Sequence, residues 1–306
     1  MFNNNVIAVP TFRRPGQLCE LLDTLAASES SSSFNIVIGD NDCDESLKSI
    51  LCKYKSIFLR FDIIAVPQRG VSQVRNAMVN YIMAEYPEWN YIFMLDDDGK
   101  VTNNWYSNIL NTANKYSAVL VGGPVVGELP DNASIFAKNS IFATRRRWST
   151  GIVSTLNTTQ NLLVSRSIVD LIGLPLFQNK YGASGGEDYD LFRRVAAAGG
   201  TICWCDEAVV IEPAPAERLT FHSLLARYST TGSYMFLIDA ASDGVVLTGL
   251  RACKGFVGSI LRAVLAIICF NVNAFARAVL SAAHFYGRLL GMVGRKTSRY
   301  VSSSGK

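Results

Sequence analysis

The sequence predicts an α/β protein: a doubly wound, mostly parallel sheet followed by a basic, apolar helical region. Three observations carry this expectation. Short apolar runs alternate with segments of helical periodicity between residues 6 and 125, which is the rhythm of βαβ units. Polar or acidic residues follow three of those runs, where open α/β sheets bind their ligands. The chain then changes character: from Glu217 to Lys306 it holds eleven Lys/Arg against three Asp/Glu, whereas eighteen stand against twenty-two before that point.

Residues 6–9 read as the first strand. Pro15 then opens a helix in which Leu18, Leu21, Leu22 and Leu25 recur at i, i+3, i+4 and i+7. A strand over 36–38 and a helix over 46–55 come next. They lead to a strand over 61–66 and a helix face marked by Val71, Val74, Met78 and Ile82. Residues 91–95 make a fourth strand and 118–121 a fifth. The stretch 122–159 carries Gly, Pro, Asn and a basic run, and reads as irregular. A helix over 184–198 and a strand over 201–205 close the body. The expected division is a body over 1–216, a connecting segment beside its site over 217–244, and an amphipathic helical region over 245–306.

Hydrophobic residues make up 49% of the chain and its mean hydropathy is +0.19, high for a protein surrounded only by water. Between residues 245 and 293 the apolar sequence is interrupted by Arg251, Lys254, Arg262, Arg277 and Arg288. The longest charge-free run after Arg262 is 263–276, fourteen residues, and a spanning helix needs about 20. Eleven residues separate Arg251 from Arg262 and Arg277 from Arg288, three helical turns each. This predicts helices lying in a membrane interface with Arg stems snorkelling to the headgroups. The expected partner is an anionic membrane surface rather than nucleic acid. Cover by the body or by a second copy is the alternative, which leaves a homo-oligomer open, and a transmembrane hairpin is a third. The polar first five residues predict no secretory leader. Seven irregularly spaced cysteines, with Cys203 and Cys205 read as buried thiols rather than zinc ligands, fit a reduced setting. Together these place the chain at the cytoplasmic face of the cell membrane.

The chemistry concentrates in two segments. Tyr91-Ile92-Phe93-Met94-Leu95 ends in Asp96-Asp97-Asp98. Three adjacent carboxylates repel one another unless a cation or solvent relieves them. A divalent metal gripping a phosphate is one reading and an acidic surface turn is the other. Nearby strand ends add Pro10-Thr11-Phe12-Arg13-Arg14-Pro15, leading into a helix N-terminus suited to phosphate, and Gly39-Asp40-Asn41-Asp42. No Gly-x-Gly-x-x-Gly follows the first strand and no Walker lysine is present, so neither standard nucleotide loop is expected. In Gly185-Gly186-Glu187-Asp188-Tyr189-Asp190-Leu191, Asp188 shares a helical face with Leu191, Phe192 and Val195. That predicts a carboxylate aimed at the sheet, suited to general base work. Glu187 is rotated about 100° from it, and Asp190 can pair with Arg194 at i+4. Compensation of the helix dipole is the alternative use of these acids.

Taken in order, these segments resemble the inverting family-2 glycosyltransferases of the GT-A fold. The resemblance runs from about Val6 to Gly232. It rests on Val-Pro-Thr-Phe-Arg-Arg-Pro (9–15), Asp40, Arg-Gly-Val-Ser-Gln-Val-Arg-Asn-Ala (69–77), Leu-Asp-Asp-Asp (95–98) and Gly-Gly-Glu-Asp-Tyr-Asp-Leu (185–191). Glu-Arg-Leu-Thr (217–220) and the Arg-Tyr…Gly stretch (227–232) are similar to β-glucosyltransferases that extend lipid-linked exopolysaccharide units.

The resemblance implies roles. Pro10, Thr11, Arg13, Asp40, Arg75, Asp96 and Asp97 would bind the donor nucleotide, and Asp98 with Asp96 would hold Mg²⁺ or Mn²⁺. Asp188 would deprotonate the acceptor, with Gly186, Glu187, Asn161 and Arg227 serving the acceptor or supporting the site. The implied reaction moves a hexose from a nucleotide sugar, UDP-linked, to a lipid-linked saccharide. His222 reads as a partly buried structural histidine, and the basic run 145–147 as a solvated loop. Two other functions compete. A haloacid-dehalogenase-like phosphohydrolase would use Asp96 and Asp98, although Lys100 stands where its motif needs Thr. A non-catalytic nucleotide-sugar-binding membrane scaffold is the second.

Overall fold

The computed structural model describes residues 4–28, 30–143, 145–182 and 185–294. Ser184, where the sequence starts a helix, and the basic residues Arg295, Lys296, Arg299 and Lys306 lie outside them. In chain order the elements are β1 (Asn5–Thr11), α1 (Pro15–Ala26), β2 (Asn35–Asp40), α2 (Glu45–Ile50), β3 (Arg60–Ala65), α3 (Val71–Glu85) and β4 (Tyr91–Leu95). Then come β5 (Lys100–Val101), α4 (Trp105–Tyr116), β6 (Leu120–Gly122), β7 (Val125–Glu128), α5 (Ile135–Lys138), β8 (Gly151–Ile152), β9 (Asn161–Ser165) and α6 (Ile168–Ile172). The chain finishes with α7 (Glu187–Ala197), β10 (Ile202–Trp204), β11 (Val210–Pro213), α8 (Phe221–Asp243), α9 (Val245–Ile268) and α10 (Val272–Met292).

Eight strands form one sheet in the order β3-β2-β1-β4-β9-β6-β10-β8. The pairs β1/β2, β2/β3, β1/β4 and β6/β10 are parallel. β9 runs antiparallel to both β4 and β6. Strand β2 is buried at every position, because helices cover both faces and no alternation with water is left. On one face Ile7, Val9, Ile36, Ile38 and Phe93 pack with Leu18, Leu22, Trp105 and Ile109 of α1 and α4. On the other, Val6, Ala8, Val37, Ile92 and Met94 pack with Val74, Met78, Leu191 and Phe192 of α3 and α7. Alternate residues of each strand thus feed opposite cores, as the pleat requires.

Several elements go beyond the sequence reading: β5, α6 and β11 were not expected, and β7, α5 and β8 fall within the stretch 122–159 that reads as irregular, each too short for its periodicity to show. β9 enters antiparallel between β4 and β6, where a purely parallel succession has no place for it. Helix α4 was not expected, since its Asn, Ser and Thr content hides the buried stripe of Trp105, Ile109 and Ala113. The expected helix over 46–55 breaks at Leu51, and a 3₁₀ segment, Cys52–Ser56, completes it.

The chain separates into two compact units. The first comprises residues up to 126, 146–182 and 187–212, and the second comprises 127–145, 185–186 and 213 onward. In the second unit α10 packs on both α8 and α9. Ser259 and Ser281 share a hydrogen bond of 2.8 Å, and Arg288 donates to Asp239 at 2.5 Å with both side chains buried. This corrects the cationic stripe: Arg288 lies inside the bundle, while Arg251, Lys254, Arg262 and Arg277 are exposed.

Helix α9 buries small residues, Thr248, Gly249, Ala252, Ser259 and Ala266. It exposes large ones instead: Val246 at 76%, Leu250 at 64%, Leu261 at 65% and Ile268 at 66%. A helix bathed in water has the opposite polarity. Among the described residues no helix is long and apolar enough to cross a membrane.

Candidate active site

The order β2-β1-β4 brings three parallel carboxyl ends side by side, at the point where the chain's course reverses from β3 on one flank to β4 on the other. This is the switch point at which open α/β sheets bind ligands. Thr11 pairs in register with Asp40, and the Thr11 hydroxyl donates to Asp97 Oδ2 at 2.8 Å. The strand ends of β1 and β4 are therefore tied by side chains as well as by backbone.

Around Asp40 the carboxylate accepts from the backbone N–H groups of Asp42 (2.9 Å) and Asp44 (2.8 Å). It shapes the loop after β2 while its remaining lone pairs stay open to a further donor. Asn41 fixes the adjoining turn by donating to the Val66 and Gln68 carbonyls. Arg13 adopts φ 56, a left-handed conformation uncommon outside glycine. From there Arg13 reaches Asp42 at 3.1 Å, and Arg69 reaches the same carboxylate at 2.9 Å. Hydrogen bonding from Arg69, opposed by burial and reinforced by Arg13, holds the Asp42 carboxyl below its usual range. Both guanidinium groups lie over the Phe12 ring.

The triple aspartate divides its labour. Asp97 and Asp98 are buried, while Asp96 keeps 30% of its side chain exposed. Arg14 Nη1 donates to Asp98 at 2.9 Å and to Asp97 at 3.3 Å. Burial raises the Asp97 carboxyl, opposed by Arg14 and Thr11. Burial, followed by the neighbouring Asp96, Glu212 and Asp97, pushes Asp98 up to about 7. Glu212, itself buried, accepts from Gln160 Nε2 at 3.0 Å. The site thus holds more negative charge than Arg14 neutralises.

Such a donor set suits a hard divalent cation. Among the described residues no cluster of three or more His, Cys, Asp or Glu side chains is arranged to hold a metal ion by itself.

A second ionic link spans the unit. Buried Arg75 of α3 donates to Glu187 at 2.8 Å and to Asp96 at 3.1 Å. Its guanidinium lies over the Phe177 ring, and Asn76 holds that segment by donating to the Phe177 carbonyl. Glu187 opens α7, so the Arg75 fork ties the start of that helix to the end of β4. Asp188 follows, half-buried, with Oδ1 accepting from the Tyr189 backbone at 2.7 Å. Asp190 pairs with Arg194 at 2.8 Å, the expected i+4 bridge.

The remaining candidates separate. Pro10 is the penultimate residue of β1. Asn161 is fully buried and spends its amide inside the protein, donating to the Pro124 and Ala208 carbonyls and accepting from Trp105. It supports the sheet rather than presenting polar groups to an acceptor. Gly186 and Arg227 belong to the second unit. Gly186 has φ +98, and a Cβ there would collide with Tyr234. Arg227 lies over the Phe142 ring at 4.8 Å. His222 is exposed, not partly buried. Arg147 pairs with Asp206 at 2.8 Å and Arg146 lies over Trp148, so the charge of Arg147 is neutralised within the first unit.

Sequence reasoning missed Arg14, Glu212 and the bridging part of Glu187. Only Arg14 left a trace, as the second of two arginines between Thr11 and Pro15.

Comparison with known proteins identifies the family and the fold. Residues 6–173 match the model of Glycosyl transferase family 2. The succinoglycan biosynthesis protein ExoM of Rhizobium meliloti is 31% identical over 95% of this chain and 93% of its own length. Among solved structures, the mannosyltransferase PcManGT from Pyrobaculum calidifontis, bound to GDP-Man and Mn²⁺, superposes with a TM-score of 0.65 at 11% identity over 97% of this chain and 89% of its own. TarS of S. aureus with UDP-GlcNAc gives 0.54 at 13% identity, covering 95% and 92%. At those identities the structures speak for a shared GT-A-like fold alone.

Proposed function

This chain belongs to glycosyl transferase family 2, and from that premise we propose that it is a metal-dependent, inverting hexosyltransferase. It would take a hexose from a nucleotide sugar, UDP-linked, and add it to a lipid-linked saccharide in exopolysaccharide synthesis. The family match sets aside the phosphohydrolase reading of Asp96 and Asp98. The observation that carries the proposal is the buried, under-neutralised carboxylate group at the β1/β4 switch point, with Asp98 pushed up to about 7.

Thr11, Pro10 and Asp40 line up at the strand ends for the nucleoside, with Arg13 beside them. Asp97 anchors Thr11 and Arg14 rather than meeting the base. Asp98 with Asp96 would hold Mg²⁺ or Mn²⁺, the ion supplying charge neutralisation to the departing diphosphate. Arg14, in reach of Asp97 and Asp98, adds a fixed guanidinium on the same side.

Asp188 takes the proton from the acceptor hydroxyl. The hydroxyl oxygen bonds to the anomeric carbon as the carbon–oxygen bond to the diphosphate breaks, so one displacement inverts the centre. Glu187, held by Arg75, positions the helix start that carries Asp188. The relative from Rhizobium meliloti, named for succinoglycan biosynthesis, supports the polysaccharide assignment. The outward apolar face of α9 with its exposed cations supports docking on an anionic membrane surface, and we place that surface at the cytoplasmic face of the cell membrane.

Isothermal titration of UDP-glucose, UDP-galactose, UDP-GlcNAc, GDP-mannose and CMP, each with and without Mn²⁺, tests the reading. Metal-dependent binding of one UDP-sugar is expected. Folded protein that binds no nucleotide would overturn the proposal. Asp188→Asn should lower transfer by roughly 10²–10⁴-fold, the usual contribution of a general base, while donor binding stays within about twofold.

A further inference from the structure

The second unit contains a cavity of about 450 Å³, a size within the roughly 300–1,000 Å³ of small-ligand pockets. It shares no residue with the strand-end site. Ile141 and Leu280 form its apolar wall, and Arg277, Asn139, Tyr228, Thr231 and Ser281 its polar one. No carboxylate lines it.

The charge of this cavity follows from its neighbours. Arg288 is neutralised by Asp239 at 2.5 Å. His284, also in the lining, is pushed down to about 4 by burial and by Arg288, so it is neutral at physiological pH. Arg277 is different. Among the described residues its one hydrogen-bond partner is the neutral Asn139 carbonyl oxygen, at 2.8 Å. That amide is locked in orientation because its nitrogen donates to the Ile135 carbonyl (2.9 Å) and to Asn273 (2.8 Å). The cavity therefore carries one uncompensated positive charge.

Its hydroxyls add donors. Tyr228 accepts from the Ile141 N–H at 3.0 Å, which leaves its own O–H to donate. Burial raises its pKa, so the phenol keeps its proton at neutral pH. Hydrocarbon surface lies on the same end of α10. Val272 is 63% exposed and Phe270, just before the helix, 93% exposed. At 1.5 Å rise per residue, Val272 precedes Arg277 by roughly 7–8 Å along the axis.

We propose that this cavity binds the phosphate of an anionic amphiphile, a phosphate or diphosphate ester on a hydrocarbon chain. Arg277 and the Tyr228 and Thr231 hydroxyls hold the phosphate oxygens, with charge-assisted bonds from the guanidinium. Ile141 and Leu280 meet the first methylenes. This deepens the acceptor assignment above and rests on it, the ligand having the chemistry of a lipid-linked saccharide's anchor.

The test titrates the full chain with monomeric dodecyl phosphate, inorganic phosphate and neutral dodecyl maltoside, and measures UDP binding with Mn²⁺ on the same samples. Dodecyl phosphate should bind more tightly than either control. Arg277→Gln should weaken it about tenfold, and Arg277→Lys should recover part of the loss. Thr231→Val, nearly isosteric, should weaken it several-fold.

Equal binding of inorganic phosphate would assign the cavity to a free anion and overturn the proposal. Equal binding of the maltoside, or indifference to Arg277→Gln, would do the same. Association seen only with vesicles of phosphatidic acid, and unchanged by Arg277→Gln, would assign the affinity to the membrane surface and also overturn it. Loss of UDP binding with dodecyl phosphate binding intact would sink the donor reading and leave the cavity assignment standing.

Discussion

Asp98 shows how a buried charge can be held for a ligand at a cost to the metal-free fold. Its carboxyl titrates near 7 in the folded protein against 3.8 in a free chain. Between those values the folded state keeps a proton that the unfolded state has lost, so stability falls as pH rises through that window. Below about 4 both states are protonated, and above about 7 the difference is constant. Metal-free protein should therefore show a lower Tm at pH 8 than its Asp98→Asn variant, with the gap closing by pH 4. Mn²⁺ should raise the wild-type Tm at pH 8 and leave the variant unmoved. A wild type more stable than the variant at pH 8 without metal would contradict this account.

The opposite case is Glu187, whose charge is matched by Arg75 across 2.8 Å. Glu187→Leu removes one of the two carboxylates that Arg75 meets and leaves Asp96 at 3.1 Å, so urea unfolding should register a loss of about 1–3 kcal/mol, the cost of a buried donor losing its acceptor. The residue pattern announced acids at a helix start, and it announced the Asp190–Arg194 bridge. It could not announce that Glu187 meets Arg75, 112 positions away, because nothing local in either segment encodes that pairing.

Elements were legible where their periodicity was self-sufficient. The leucines of α1 and the apolar run of β4 fixed type and place, since each segment's burial follows from its own pattern. β9 was not: its five residues, Asn161–Ser165, make too short a run for periodicity to mark a strand, and its antiparallel direction is something composition does not record. Helix contacts made by backbone are equally silent. Gly287 of α10 sits so close to α8 that an added Cβ would collide with the Ser229 carbonyl oxygen. Gly287→Ala should therefore force α8 and α10 apart and cost about 1–3 kcal/mol, the range for overpacking a tight interface. Gly258→Ala, with nothing within reach of its Cβ, should be neutral or slightly stabilising, since alanine favours helix. Thermal unfolding of both variants checks the contrast. Equal effects would mean that helix propensity, not close approach, governs these positions.

At the scale of the whole molecule, the sequence joins an acidic body to a basic, apolar C-terminal region, and α9 turns that composition into a directional surface. Small side chains face its partner helix and large ones face outward, an arrangement that loses apolar burial in water and recovers it against hydrocarbon. Arg251, Lys254 and Arg262 are exposed on the same helix, and no acidic residue occurs between Val245 and Met292. Partition into an anionic interface should then draw on both terms, each cation near the surface contributing about 1 kcal/mol.

The two terms can be separated experimentally. Leu250→Ser, Leu261→Ser and Leu265→Ser together remove side chains that are 64%, 65% and 59% exposed, so thermal stability should hardly change. Flotation with phosphatidylglycerol vesicles should nonetheless drop by more than tenfold at any salt concentration. Arg251→Gln with Arg262→Gln should weaken flotation mainly at low salt, because screening already blunts those charges at high salt. If the triple variant floats like the wild type, α9 is not the contact surface. If it instead loses stability, the outward leucines are covered by protein, and a second copy becomes the partner to seek.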